Sequence, residues 1–89
     1  MTERTAAVAS AQGLHARPAS LFAQAAGQAG IPVKIAKPGG NPVDASSVLM
    51  VMTLSAKKGD QVVLSADGPQ ADQVLDSLVT LLQTDLDAQ

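Results

Sequence analysis

Pro18-Ala19-Ser20-Leu21-Phe22-Ala23-Gln24-Ala25-Ala26-Gly27-Gln28-Ala29-Gly30-Ile31-Pro32-Val33-Lys34-Ile35-Ala36 changes its hydrophobic period part-way along. Pro18, Leu21, Phe22, Ala25, Ala26 and Ala29 recur at the spacing of one helix face. Gly27 and Gly30 supply the stop signals of a helix C-terminus. Ile31, Val33 and Ile35 then alternate with Pro32, Lys34 and Ala36, the pattern of a half-buried strand. A helix with one apolar stripe must cover something, and a sheet with helices on one face is the simplest partner.

The same reading extends in both directions. Residues 4–9 form a weak first strand, broken by Gln12-Gly13. Pro38-Gly39-Gly40-Asn41-Pro42 is a turn. Any strand around Val43 is very short, and Pro42 confines it to a sheet edge. Ser46-Ser47 is an N-cap pair ahead of Val48-Leu49-Met50-Val51-Met52, a run that fits either a buried strand or a short helix. Lys58-Gly59-Asp60 turns the chain into a strand over 61–66, with Val62 and Leu64 on one face. Asp67-Gly68-Pro69 breaks that strand, and Pro69 is suited to a first helical turn. Ala71, Val74, Leu75, Leu78, Leu82 and Leu86 share one face of a last helix. The order is β-α-β-β-α-β-α, an α+β arrangement with an antiparallel sheet.

Eighty-nine residues suffice for one domain, taken as 1–89. Hydrophobic residues make up 46%, but Phe22 is the only Phe, Tyr or Trp, so the core is aliphatic. The net charge is −2, and the six basic residues are scattered without interleaved aromatics, which argues against nucleic-acid binding. With no cysteine there is no disulfide, thiol nucleophile or thiolate metal site. No metal or other cofactor is expected. The first residues lack a signal-peptide layout, and no apolar run reaches bilayer length. A cytoplasmic protein without membrane insertion is the expectation.

The chemistry concentrates at Gly13-Leu14-His15-Ala16-Arg17-Pro18-Ala19, where the first helix begins at Ala16 or at Pro18. The first turn of a helix leaves N–H groups unpaired and carries partial positive charge, which suits an anion. Arg17 adds a fixed charge whose fork matches phosphate oxygens. Pro18 has no N–H, a loss of small cost in a first turn. His15, the only histidine, titrates near neutrality. The local field disfavours a second proton on its ring, leaving a neutral, nucleophilic imidazole, and would stabilise the anion formed once a phosphoryl group is attached. Taken without its neighbours, His15 would read as an ordinary surface histidine.

This heptapeptide resembles the active-site signature of the HPr family, the histidine-containing phosphocarriers of the bacterial sugar phosphotransferase system. The resemblance extends to Ser47–Leu54, the Lys58-Gly59-Asp60 turn, the strand ending in Ser65-Ala66 and the last amphipathic helix. It implies an open-faced β-sandwich, a four-stranded antiparallel sheet with three helices on one face, one of them short. It also implies a function. Enzyme I, charged by phosphoenolpyruvate, phosphorylates His15 at Nδ1, and the phosphohistidine donates to the IIA unit of a sugar permease, with no need for ATP or metal. Arg17 then stabilises the phosphate, which faces the backbone N–H groups of Ala16 and Arg17. Ser47 matches the family's regulatory serine, a kinase target in some relatives. The following Val48-Leu49-Met50 lacks the glycine common in those relatives, and a helix cap is the alternative role for Ser47.

If Val48–Met52 is helical, five consecutive apolar residues at about 100° per residue surround the helix, so some face solvent. An exposed apolar patch marks an interface. Val48, Leu49 and Met52 are the candidate contacts for enzyme I and IIA; a wholly buried run is the alternative. Carriers of a nitrogen-regulatory relay share the motif. A true enzyme using His15 as general base lacks a second catalytic group at any recognisable spacing. A relay protein that visits two partners in turn is expected to be a monomer.

Overall fold

Among the described residues, seven elements follow the expected order: β1 (Thr2–Ala7), α1 (Ala16–Gly27), β2 (Val33–Ala36), β3 (Val43–Asp44), α2 (Val48–Thr53), β4 (Gln61–Ala66) and α3 (Ala71–Leu82). They come from a computed structural model that describes residues 2–9, 13, 16–54 and 56–84. The four strands form one antiparallel sheet in the order β1-β4-β2-β3. β4 is therefore an inner strand although it is the last strand in sequence. With the three helices of the described residues the sheet makes the open-faced sandwich that the family resemblance implied.

Register explains the layering. Leu64 lies between Arg4 of β1 and Ile35 of β2, and Ile35 pairs onward with Val43 of β3. Val62, Leu64, Val33 and Ile35 are buried on the face that the helices cover. Between Val62 and Ala66, Ser65 points to the other face, flanked in register by Glu3 and Lys34. Phe22, Leu75, Leu78 and Leu82 fill the core from the helix side, together with Ala19, Ala26 and Val51.

Three expectations shift. The first strand begins at Thr2 rather than Arg4 and ends at Ala7, because its ladder is set by β4, whose first residue Gln61 pairs with Ala7. On α1 the buried set is Pro18, Ala19, Phe22, Ala23 and Ala26, while Leu21, Ala25 and Ala29 are only partly covered. Both stripes satisfy helical spacing in so alanine-rich a segment. The small Ala19 and Ala23 are the ones turned inward, and Ala25 and Ala29 line an open groove of about 430 Å³ against Val74, Leu78 and Leu81 of α3. Pro69 lies before α3 and not within its first turn: Ala71 begins the helix, its N–H donating to the Gly68 carbonyl at 3.1 Å. Leu86 lies outside the described residues. The strand-or-helix ambiguity at Val48–Met52 resolves as helix, with Val51 alone fully buried.

An ion-pair clamp that the sequence pattern did not reveal ties the edge strand to the last helix. Arg4 donates from Nε to Asp76 Oδ1 and from one terminal nitrogen to Asp72 Oδ1, both at 3.0 Å, and from the other to the Glu3 carbonyl at 2.9 Å. Asp72 and Asp76 are four residues apart, so one guanidinium meets both on the same helix face. These carboxylates hold the Arg4 pKa above its ordinary value, Asp76 contributing most.

Candidate functional site

The candidate site begins at Gly13, whose backbone passes close to the segment that links α2 to β4. A Cβ placed on Gly13 would collide with the Ala56 carbonyl oxygen and lie 2.8 Å from Lys57 Cα. Its φ of +79° is in the left-handed region that side chains disfavour. Two independent constraints therefore require glycine here. Leu14 and His15 lie outside the described residues.

α1 starts at Ala16, which settles the choice left open by Pro18. Ala16 and Arg17 are exposed first-turn residues, and their N–H groups have no carbonyl four residues back within the helix. Pro18 contributes no donor and is buried. Arg17 is thus itself a residue of this electropositive first turn.

α2 lies beside α1 and runs antiparallel to it. A Cβ at Gly27, the end of α1, would be 3.8 Å from that of Ser46, just before α2. Gly13, just before α1, meets Ala56, just after α2. The C-terminal end of α2 is therefore the end nearest the α1 tip. Of the expected contact residues, Leu49 is 71% exposed and Met52 38%, whereas Val48 is half-buried and packs on the core. Met50, absent from the expected set, is 37% exposed. Helical spacing from the buried Val51 could have located it, had the helix been assigned.

The two serines separate in role. Ser47 is the N-cap of α2, its Oγ accepting from the Met50 N–H at 3.4 Å. Ser46 instead turns back, donating its N–H and its hydroxyl to Asp44 Oδ1 at 2.9 and 2.7 Å. The Ser46 hydroxyl holds the Asp44 carboxyl below the usual carboxylate range, aided by the Ser46 N–H and by the charge of Lys34. No cluster of potential metal ligands occurs among the described residues.

Comparison with known proteins matches residues 2–84 to the family described as PTS HPr component phosphorylation site. A phosphocarrier protein HPr of Streptomyces coelicolor is 46% identical over 87 residues, spanning 98% of this chain and 94% of that protein. The crystal structure of HPr-C-His from Thermoanaerobacter tengcongensis superposes with a TM-score of 0.88 at 32% identity, covering all of this chain and 99% of that one. Crh, the catabolite repression protein of Bacillus subtilis solved as a swapped dimer, superposes with a TM-score of 0.73 at 33% identity over 96% of this chain and 97% of its own.

Two expected outcomes follow from this geometry. Gly13→Ala should lower stability by about 2 kcal/mol or more, because positive φ and backbone overlap act together; chemical denaturation measures it, and an unchanged midpoint would contradict the close approach. Asp44, followed by NMR, should titrate below an ordinary aspartate, and Ser46→Ala should raise its midpoint. Since the folded value is depressed, the stabilisation is complete above the ordinary aspartate pKa and is lost as pH falls through the folded one.

Proposed function

The chain belongs to the HPr family of phosphotransferase-system phosphocarriers, and on that premise we propose that it carries the phosphoryl group on His15. It accepts the group from enzyme I, previously charged by phosphoenolpyruvate, and passes it to a IIA protein. The observation that supports this most directly is the family match over residues 2–84, which includes the Gly13–Ala19 motif, with Ala16 and Arg17 opening α1.

The chemistry needs little machinery. A neutral His15 ring attacks phosphorus through Nδ1, the new N–P bond forms, and the bond to enzyme I breaks. The first-turn N–H groups of Ala16 and Arg17, together with the guanidinium, then face the phosphoryl oxygens. The same nitrogen later releases the group to the IIA nucleophile. The protein is regenerated only by its two partners, so it is a relay component and not a turnover enzyme. We read residues 1–89 as one phosphocarrier domain acting as a monomer in the cytoplasm. No helix among the described residues is long and apolar enough to cross a membrane.

Leu49 and Met52, with Val48 beneath them, form the docking surface for both partners in this reading. Their helix leads toward the α1 tip, so a partner seated there reaches the phosphoacceptor. Ser47 acts chiefly as the cap of α2. A kinase that phosphorylated it would add charge at the start of this surface and oppose apolar docking.

Incubation with enzyme I and phosphoenolpyruvate should place one acid-labile, base-stable phosphate on the wild type and none on His15→Ala, as read by mass spectrometry. An unlabelled wild type would overturn the assignment. Leu49→Glu should fold normally and slow transfer at limiting protein on the order of tenfold, the loss of one apolar anchor. Stopped-quench kinetics beside a thermal melt checks it; wild-type rates would remove Leu49 from the interface.

A further inference from the structure

The described ends of the segment that leads into α1 both rest on a single turn. At its start, the Val8 N–H donates to the Asp60 carbonyl, and the Gly59 N–H donates to the Val8 carbonyl, each at 2.9 Å. Near its end, the Gly13 backbone lies against Ala56 and Lys57. Residues 56–60 are thus a common seat for Val8 and Gly13.

Asp60 closes that seat twice. Its N–H donates to the Lys57 carbonyl at 2.9 Å, a bond that any residue except proline could make. Its Oδ2 also accepts the Lys57 N–H at 3.0 Å, a bond that requires a side-chain acceptor of this reach. Lys37 Nζ approaches the same oxygen at 3.9 Å and meets its charge. Lys57 is also one of the two residues against which Gly13 packs without room for a Cβ. Any shift of Lys57 is therefore passed to Gly13 through backbone contact, with no flexible side chain between them to absorb it.

We propose that Asp60 is a positioning residue for phosphoryl transfer: its carboxylate fixes Lys57, and Lys57 with Ala56 fixes Gly13, two residues before His15. The inference rests on His15 being the phosphoacceptor. Asp60 does not touch the phosphoryl group. It acts because transfer requires the attacking nitrogen and the phosphorus to be aligned closely, and small misplacements cost large factors in rate.

Asp60→Ala and Asp60→Asn separate this from a general structural role. Asp60→Ala should slow transfer from phosphorylated enzyme I on the order of tenfold while remaining folded at the assay temperature. Asp60→Asn keeps an acceptor oxygen and should recover most of the rate. The Gly13 amide shift and the His15 titration midpoint, read by NMR, should move in Asp60→Ala and stay near wild type in Asp60→Asn. A wild-type rate for Asp60→Ala, or a loss no larger than its unfolded fraction, would overturn the proposal. So would an Asp60→Asn variant that is folded and equally slow. In the wild type itself, the Lys57 amide should exchange with solvent more slowly than that of Lys58; equal rates would remove the bond on which the proposal starts. Label on His15→Ala in parallel would instead overturn the phosphoacceptor assignment.

Discussion

Two stretches of backbone, far apart in sequence, lie so close at Gly13 and Ala56–Lys57 that no side chain fits between them. The rest of the arrangement depends on this approach. It brings the start of α1 beside the end of α2, and so sets the electropositive helix tip near the shorter helix with its exposed apolar residues. Because the contact is between main chains, it has little freedom to adjust. The turn at Lys57–Asp60 supports it from below and holds Val8 at the same time.

The sheet makes that approach possible. β4 follows the turn directly and is an inner strand paired on both sides, so the turn is anchored to a well-held element of the sheet. β1 lies on one side of β4 and ends where the turn begins, with Ala7 opposite Gln61. The last helix closes the arrangement from its other end: the Ala9 N–H donates to the Leu82 carbonyl at 3.0 Å, and Arg4 binds Asp72 and Asp76. A core with one aromatic side chain is filled here by Phe22 together with the small Ala19 and Ala26 of α1 and the aliphatic side chains of the sheet and of α3.

Function follows from exposure as much as from chemistry. Arg17 and the first-turn N–H groups lie at the surface, where a partner can reach them. α2 is too short to bury all its apolar residues: Val51 faces the core, and Leu49, Met50 and Met52 face outward. A carrier that hands its cargo between two proteins needs such a shallow, accessible site in place of a cleft. That some of five apolar residues on one short helix face solvent was legible from arithmetic, and Leu49 and Met52 of the expected set are among them. Met50 was not in that set, because its place depended on which residue of the run turned inward.

By itself, the sequence determined the order of the elements other than the short one at Val48–Met52, the edge position of Val43, the turn at Lys58–Asp60 and the motif from Gly13 to Ala19. These depend on local rules: helical and strand periods, proline geometry, glycine freedom and the residue types needed to hold a phosphoryl group. Tertiary structure alone decided which of two stripes on α1 is buried, whether Val48–Met52 is helix or strand, and that Arg4 reaches α3. It alone also decided that Ser46 serves Asp44 while Ser47 caps α2, and that Gly13 is required by Ala56 as well as by its own φ. Each of these depends on the position of residues distant in sequence, and periodicity within one segment carries no information about the surface it will meet.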